Sequence, residues 1–243
     1  MSENKSRVEK TFEVLRNEIL LGQYRQGERL PSERDLSARF DVTRSVVRES
    51  IKKLEQLGIA SVTPGGVRVL PIEDASLEIL GPLLDLGEIQ KIDLIVQFLE
   101  VFGGVLAMSS RLAVENASEE ELKDLASKLE DVIESVGEVE EHREAWKTFT
   151  DSLLPIHKNL VLRLVGNGIR TQIMSDALQL EQDSSMDQDM EMLQTDLRKA
   201  ARALSGRDAL GTSNALLGYV EAVKLSMSAR SKTNSSEKGR TPR

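Results

Sequence analysis

The stretch Leu30–Leu70, LPSERDLSARFDVTRSVVRESIKKLEQLGIASVTPGGVRVL, decides the fold. Ser32 follows Leu30-Pro31 and can cap a helix over SERDLSARF, with Asp35 at the reciprocal position of a capping box. DVT is a short polar break. Thr43 can then cap a second helix from Arg44 to about Leu57, which Gly58 terminates. IASVT and VRVL are short β-branched runs around Pro-Gly-Gly, the pattern of a hairpin. Immediately upstream, SRVEKTFEVLRNEILLGQY places Val8, Phe12, Leu15 and Ile19 at helical spacing before Gly22. The order is therefore helix, helix, turn, helix, hairpin.

The same forty residues carry Arg34, Arg39, Arg44, Arg48, Lys52, Lys53 and Arg68 in a chain of 243 residues with net charge -8. Residues 1–72 hold 13 Lys+Arg against 10 Asp+Glu, net +3, which leaves the remainder with 19 against 30, net -11. An acidic protein that gathers cations in one folded segment is presenting them to an anion, or is simply solvating a charged surface. The absence of cysteine rules out disulfides, thiolate metal sites and a cysteine nucleophile. No apolar run approaches the roughly 18 residues of a membrane span, and MSENKSRVEK lacks the apolar stretch of a signal peptide, so a cytoplasmic protein with no membrane partner is expected.

On the helix from Arg44, Val47, Ile51 and Leu54 lie at i, i+4, i+7, a buried face. Arg44, Arg48 and Lys52 form a second row at i, i+4, i+8. Three stacked like charges repel, and a polyanion laid along them removes that penalty. A major groove admits one α-helix and offers base edges to the residues near its start. Arg44 and Arg48 are accordingly expected to contact bases, and Ser45 to reach a base edge or a phosphate. Thr43 is expected both to cap the helix and to lie near the sugar-phosphate backbone. Arg34 fits a phosphate clamp, or alternatively an ion pair with Glu33 or Asp35. On the hairpin, Thr63, Gly65 and Gly66 suit close approach to a groove, while glycines there equally suit a tight turn.

Pro71 and IEDAS mark a boundary near residues 71–76. Beyond it, helical periodicity is expected at about 77–86, 90–115, 118–136, 141–165, 168–183, 187–205 and 208–229, with no strand-like alternation. This gives a domain over 1–72, an all-helical domain over 73–229 and a disordered basic tail over 230–243.

Leu30 to Arg34, Thr43-Arg44, Arg48-Glu49 and Leu54 to Gly58 resemble the Leu-Pro-Ser-Glu-Arg, Ser/Thr-Arg, Arg-Glu and Leu-x-x-x-Gly pattern of the GntR family of bacterial transcription regulators. FLEVFGGVLAMSSRLAVENASEEELKDLASKLE and IHKNLVLRLVGNGI are similar to the helical FCD ligand-binding domain of that family's FadR branch. The resemblance implies a mainly α fold: an N-terminal winged helix-turn-helix with a small hairpin wing, then an all-α bundle. It further implies a regulator that binds a short palindromic double-stranded operator as a homodimer, under control of a small-molecule effector. Pro64 departs from the pattern, because many relatives carry a polar or basic wing residue there.

Most members of that branch hold a divalent metal with Asp and His one turn apart plus two later His. Here His157 keeps the first His, Leu153 replaces the Asp, and the later positions fall near Leu197 and Tyr219. His142 and His157, the two histidines of the chain, would stand about 22 Å apart on one helix. The resemblance therefore implies an effector bound without metal or cofactor, with His157, Gln97, Asn167 and Tyr219 as candidate contacts. For His157 a satisfied core histidine is the plain alternative. No arginine stands near Gln97 to hold a carboxylate, which favours an acyl thioester or fatty acid over other organic acids. An enzyme is not expected: no phosphate loop, His-Glu-x-x-His pattern or metal triad is present. An architectural DNA binder whose helical half only dimerises is the remaining alternative.

Overall fold

In the computed structural model the described residues are 2–86, 91–173 and 187–238. Two compact units divide the chain, Met1–Ile89 and Gln90–Arg243. The first contains α1 (Ser2–Leu20), α2 (Glu33–Phe40), α3 (Arg44–Gln56), the strands β1 (Ala60–Thr63) and β2 (Gly66–Val69), two 3-10 turns (Ile72–Asp74 and Leu77–Ile79) and α4 (Leu80–Leu86). β1 and β2 pair antiparallel from Ala60–Val69 to Thr63–Gly66, so Pro64 and Gly65 form the turn.

The core of this unit follows from the periodicity. Phe12, Leu15 and Ile19 of α1, Leu36 of α2 and Val47, Ile51 and Leu54 of α3 are buried together, and Val8 is half-buried. Ser50 is a buried polar residue among them, with its Oγ 2.9 Å from Val46 O and 3.0 Å from Val8 O. Gly58 ends α3 at φ +73°, where Ile59 N–H donates back to Leu54 O. A Cβ at Gly58 would lie 3.1 Å from Asp74 O and 3.2 Å from Ala75 Cα. Ser76 N–H donates to Leu57 O at 2.8 Å. These contacts tie Asp74, Ala75 and Ser76 to the end of α3, and the first unit runs past residue 72, where the sequence placed the boundary.

The second unit is a helical bundle of α5 (Lys91–Asn116), α6 (Glu119–Glu134), α7 (Val139–Ile156), α8 (Leu160–Ile173), α9 (Asp187–Ser205) and α10 (Ala209–Lys238). Its core is built from Leu125, Leu129, Val132, Ile133, Trp146, Phe149, Leu153, Leu197, Leu204, Leu216, Tyr219 and Val220. Ser118 and Glu121 form a reciprocal capping box at the start of α6. The single helix expected over 141–165 is instead two. Pro155, lacking a backbone donor, stands in the last turn of α7; His157 turns extended at ψ 124°, and Asn159 Oδ1 accepts Leu162 N–H to open α8.

Further differences concern the tail and the first helix of the second unit. α10 runs to Lys238, so the expected disordered tail is helical up to that residue; no glycine or proline interrupts the chain between Gly218 and Gly239. Residues 239–243 of that tail, and 174–183 of the helix expected over 168–183, lie outside the described residues. Ile92–Asn116 is long and apolar enough to cross a membrane, with a mean hydropathy of 1.7, although no unbroken apolar run was evident. The helix packs along α10 and α7. Gly103 permits this approach, since a Cβ there would lie 3.0 Å from Val220 Cγ1.

Candidate nucleic-acid interface

The cations of the first unit divide sharply once their partners are known. Arg39 is bound to the buried Glu18 and also reaches Tyr24 OH; Lys53 pairs with Glu9, and Lys52 with Glu49 at 2.8 Å. Arg68 Nη1 donates to Gly27 O at 2.7 Å. Arg34 stands 3.8 Å from Asp35, an exposed pair of little energetic weight. Arg44 is exposed on the first turn of α3, with no acid within ion-pair distance among the described residues. The row Arg44, Arg48, Lys52 is thus a graded one, with its free charge at the helix start.

Arg48 is held in a distinct way. Its Nε donates to both carboxylate oxygens of Glu33, at 2.8 and 2.9 Å, from the first turn of α2. This bond keeps the Glu33 carboxyl below its usual range and raises the Arg48 guanidinium above its own. Because only Nε is engaged, the Nη1/Nη2 edge of Arg48 remains available for a bidentate contact. Fifteen residues separate Glu33 from Arg48, so no local spacing rule reveals the pair.

Thr43 is the N-cap residue of α3 by backbone conformation, but its hydroxyl makes no cap hydrogen bond. It lies 2.9 Å from Ser45 Oγ instead, which corrects the expected side-chain cap and sets two exposed hydroxyls beside Arg44. Ser32 does cap α2, accepting from Asp35 N–H at 3.3 Å. The return leg of that box differs from expectation: Ser32 O–H donates to Asp35 Oδ2 at 2.6 Å.

At the hairpin, Thr63 Oγ1 donates to Gly66 O at 2.8 Å and closes the turn. Gly66 has φ +117°, so the turn itself requires glycine there, while Gly65 has no positive φ. Glu55 Oε1 accepts Val62 N–H at 2.7 Å and fastens β1 to α3. Between α3 and the hairpin runs a groove of about 570 Å³, walled by Glu33, Arg48, Lys52, Gly65 and Gly66 among others. Arg29, which the sequence reading passed over, is exposed at the edge of this hairpin.

In the helical unit two of the four candidate effector residues are exposed and two are buried. Gln97 is exposed on α5, on the side away from buried Ile95 and Phe98; Asn167 is exposed on α8 between buried Gly166 and Ile169. His157 is fully buried and neither ring nitrogen has a hydrogen-bond partner, so the satisfied core histidine is not what the fold contains. Burial, together with the Arg163 charge, pushes its pKa down. Tyr219 O–H reaches His142 Nε2 at 2.8 Å, and Trp146 Nε1–H donates to the same nitrogen at 3.0 Å. An Nε2 that accepts carries no proton, so His142 is neutral with its proton on Nδ1, 3.1 Å from Ser135 Oγ. Burial lowers the His142 pKa to about 4 and pushes Tyr219 up to about 12.

Leu153, Leu197 and Tyr219, the positions aligned with metal ligands, all lie in the bundle core. Two are hydrocarbon, and the third is a phenol bonded to His142; this donor set does not fit a divalent ion. Among the described residues no three His, Asp or Glu side chains converge on a common point. A cavity of about 30 Å³ lies between α5, α7 and α8, lined by Phe102, Leu106, Ser109, Leu153, Leu154 and Ile169 with others. Ser109 Oγ is buried in this lining without a hydrogen-bond partner.

Residues 7–69 match the family described as "Bacterial regulatory proteins, gntR family". The chain is 28% identical over 227 residues to the HTH-type transcriptional regulator Mce2R of Mycobacterium tuberculosis, a span covering 91% of each chain. It is 45% identical over 58 residues to the Uxu operon transcriptional regulator of Escherichia coli, 24% of this chain and 23% of that one. A solved structure described as Lar, which controls the expression of the Listeria monocytogenes agr system, shares the fold at TM-score 0.59 and 17% identity, covering 91% of this chain and 96% of that one.

Proposed function

We propose that this protein, whose residues 7–69 match the GntR family, is a transcription regulator of the FadR branch that reads a short palindromic operator as a homodimer. The observation that carries this reading is the state of two arginines on one face of α3. Among the described residues Arg44 has no ion pair, and Arg48 is oriented by Glu33 with no partner on its Nη edge. Both suit bidentate contact with guanine in a major groove. Thr43, Ser45 and Arg34 supply hydroxyl and cationic contacts to phosphates, and Gly65 and Gly66 let the wing backbone come close to the duplex. Selection of a duplex from a random pool by the full chain, followed by fluorescence anisotropy on that duplex and its base-substituted versions, tests the reading. A head that shows no sequence preference would overturn it.

Homodimer formation is supported by α8, where Leu160, Val161, Leu164 and Val165 are exposed together. Four apolar side chains on one face of one helix call for cover. Sedimentation should give a dimer for the full chain and a monomer for Leu164→Glu.

For the effector, the cavity lining is apolar with Ser109 Oγ as a polar handle, and His157 offers a second unpartnered group in the same unit. An acyl thioester or fatty acid needs several hundred Å³, so binding one demands expansion of this cavity. Mass spectrometry of co-purified small molecules, with a thermal shift for each, identifies the ligand. The same small volume favours the second reading, in which the helical unit only dimerises. Operator affinity that no co-purified molecule alters would select it. Metal plays no part in either version: operator binding should be the same before and after chelation, with no stoichiometric transition metal by elemental analysis.

A further inference from the structure

We infer that Arg29 is the cation through which the wing grips a DNA phosphate, replacing the basic side chain that the turn itself lacks. The inference rests on the DNA-binding reading above. Pro64 and Gly65 occupy the turn, Thr63 Oγ1 is spent on Gly66 O, and the Arg68 guanidinium is bonded to Gly27 O. The hairpin's own guanidinium is therefore held at Gly27 O, and the turn carries no basic side chain.

Arg29 is fixed beside it by backbone pairing. Its residue forms an antiparallel bridge with Arg68, flanked by Leu30 N–H to Val67 O at 2.9 Å and Val69 N–H to Glu28 O at 3.0 Å. From that edge the side chain runs along the hairpin to the turn. A Cβ at Gly65 would lie 2.6 Å from Arg29 Nη2 and 3.1 Å from its Cζ. Gly65 does not have the positive φ that makes Gly66 obligatory. A larger residue at position 65 would push the guanidinium aside without straining the turn, so the glycine leaves room for the arginine.

The charge is also unclaimed. Arg29 is exposed and pairs with no acid among the described residues, unlike Arg39, Lys52 and Lys53. The adjacent Glu28 carboxylate is turned away to accept Arg25 N–H at 2.9 Å. A guanidinium held at a turn tip without a counter-ion, on the hairpin that walls the same groove as Arg48, fits a phosphate oxygen.

The test uses the full chain and two duplexes: one selected by the wild-type chain from a random pool, and one of unrelated sequence. Anisotropy titrations at several salt concentrations compare the wild type with Arg29→Gln, Gly65→Ala, the double variant and Arg44→Ala. Arg29→Gln should weaken both duplexes by the same factor and lower the slope of log K against log salt by about one. Gly65→Ala, by displacing the guanidinium, should reproduce part of that loss, and the double variant should be no weaker than Arg29→Gln. Circular dichroism should show unchanged melting for Arg29→Gln, whose side chain holds no ion pair. Wild-type affinity and slope for Arg29→Gln, with binding lost in Arg44→Ala, would overturn the inference alone. A loss confined to the selected duplex would overturn the phosphate role. If the wild-type chain binds neither the selected nor the unrelated duplex, the DNA-binding reading fails and the inference with it.

Discussion

Arg48 divides its donors, Nε to Glu33 and the Nη edge outward, whereas Arg44 keeps all of its own. Replacing either by Ala should cost about 1–3 kcal/mol at the selected duplex and relax preference at one base position, seen by anisotropy across substituted duplexes. Glu33→Gln keeps the shape and removes the charge that aims Arg48. Its cost in affinity should stay under about 1 kcal/mol, since the pair is exposed, but base preference at the Arg48 position should fall with it. Equal retention of preference in Glu33→Gln and wild type would show that Glu33 does not position Arg48. The sequence disclosed Arg44 and Arg48 because helical spacing puts them in a row. It concealed Glu33 and Arg29, whose partners lie across the fold, and it misjudged Thr43, whose hydroxyl has a nearer alternative in Ser45.

Among the elements, α3 shows how far periodicity carries. The face of Val47, Ile51 and Leu54 and the stop at Gly58 were legible because both depend on the chain's own geometry. Where α7 ends was not legible, since the helical periodicity runs on to about 165, while the structure places Pro155 in the last turn and His157 in extended conformation just beyond it. The two glycine stops of the first unit separate backbone strain from packing. Gly22 and Gly58 have φ +71° and +73°, but a Cβ at Gly22 meets nothing within 4 Å, whereas at Gly58 it meets the 3-10 turn. Gly58→Ala should therefore destabilise by about 1–3 kcal/mol, and by more than Gly22→Ala. Urea midpoints of the two variants measure the difference.

Over the whole molecule, stability should depend on pH through His142. The group is neutral in the folded state, with a pKa lowered to about 4, and takes up a proton in the unfolded chain near its ordinary value of about 6.5. The unfolded state thus binds the extra proton between those values. Stability is complete above about pH 6.5, falls as the pH drops, and levels off below about 4, a loss on the order of 3 kcal/mol. His157, lowered in the same direction, adds to the slope. Thermal melts of wild type and His142→Phe from pH 4 to 7.5 should converge at the acid end; parallel curves would sink the assignment. This network was invisible in the sequence, which set His142 aside as too distant from His157 and never paired it with Tyr219, 77 residues on. At the same scale, the bond from Val62 N–H to Glu55 fixes both walls of the groove before any duplex arrives. With little ordering left to lose on docking, association is governed by diffusion and charge steering. If the head binds DNA as proposed, an effector would then act on how long the complex lasts more than on how fast it forms.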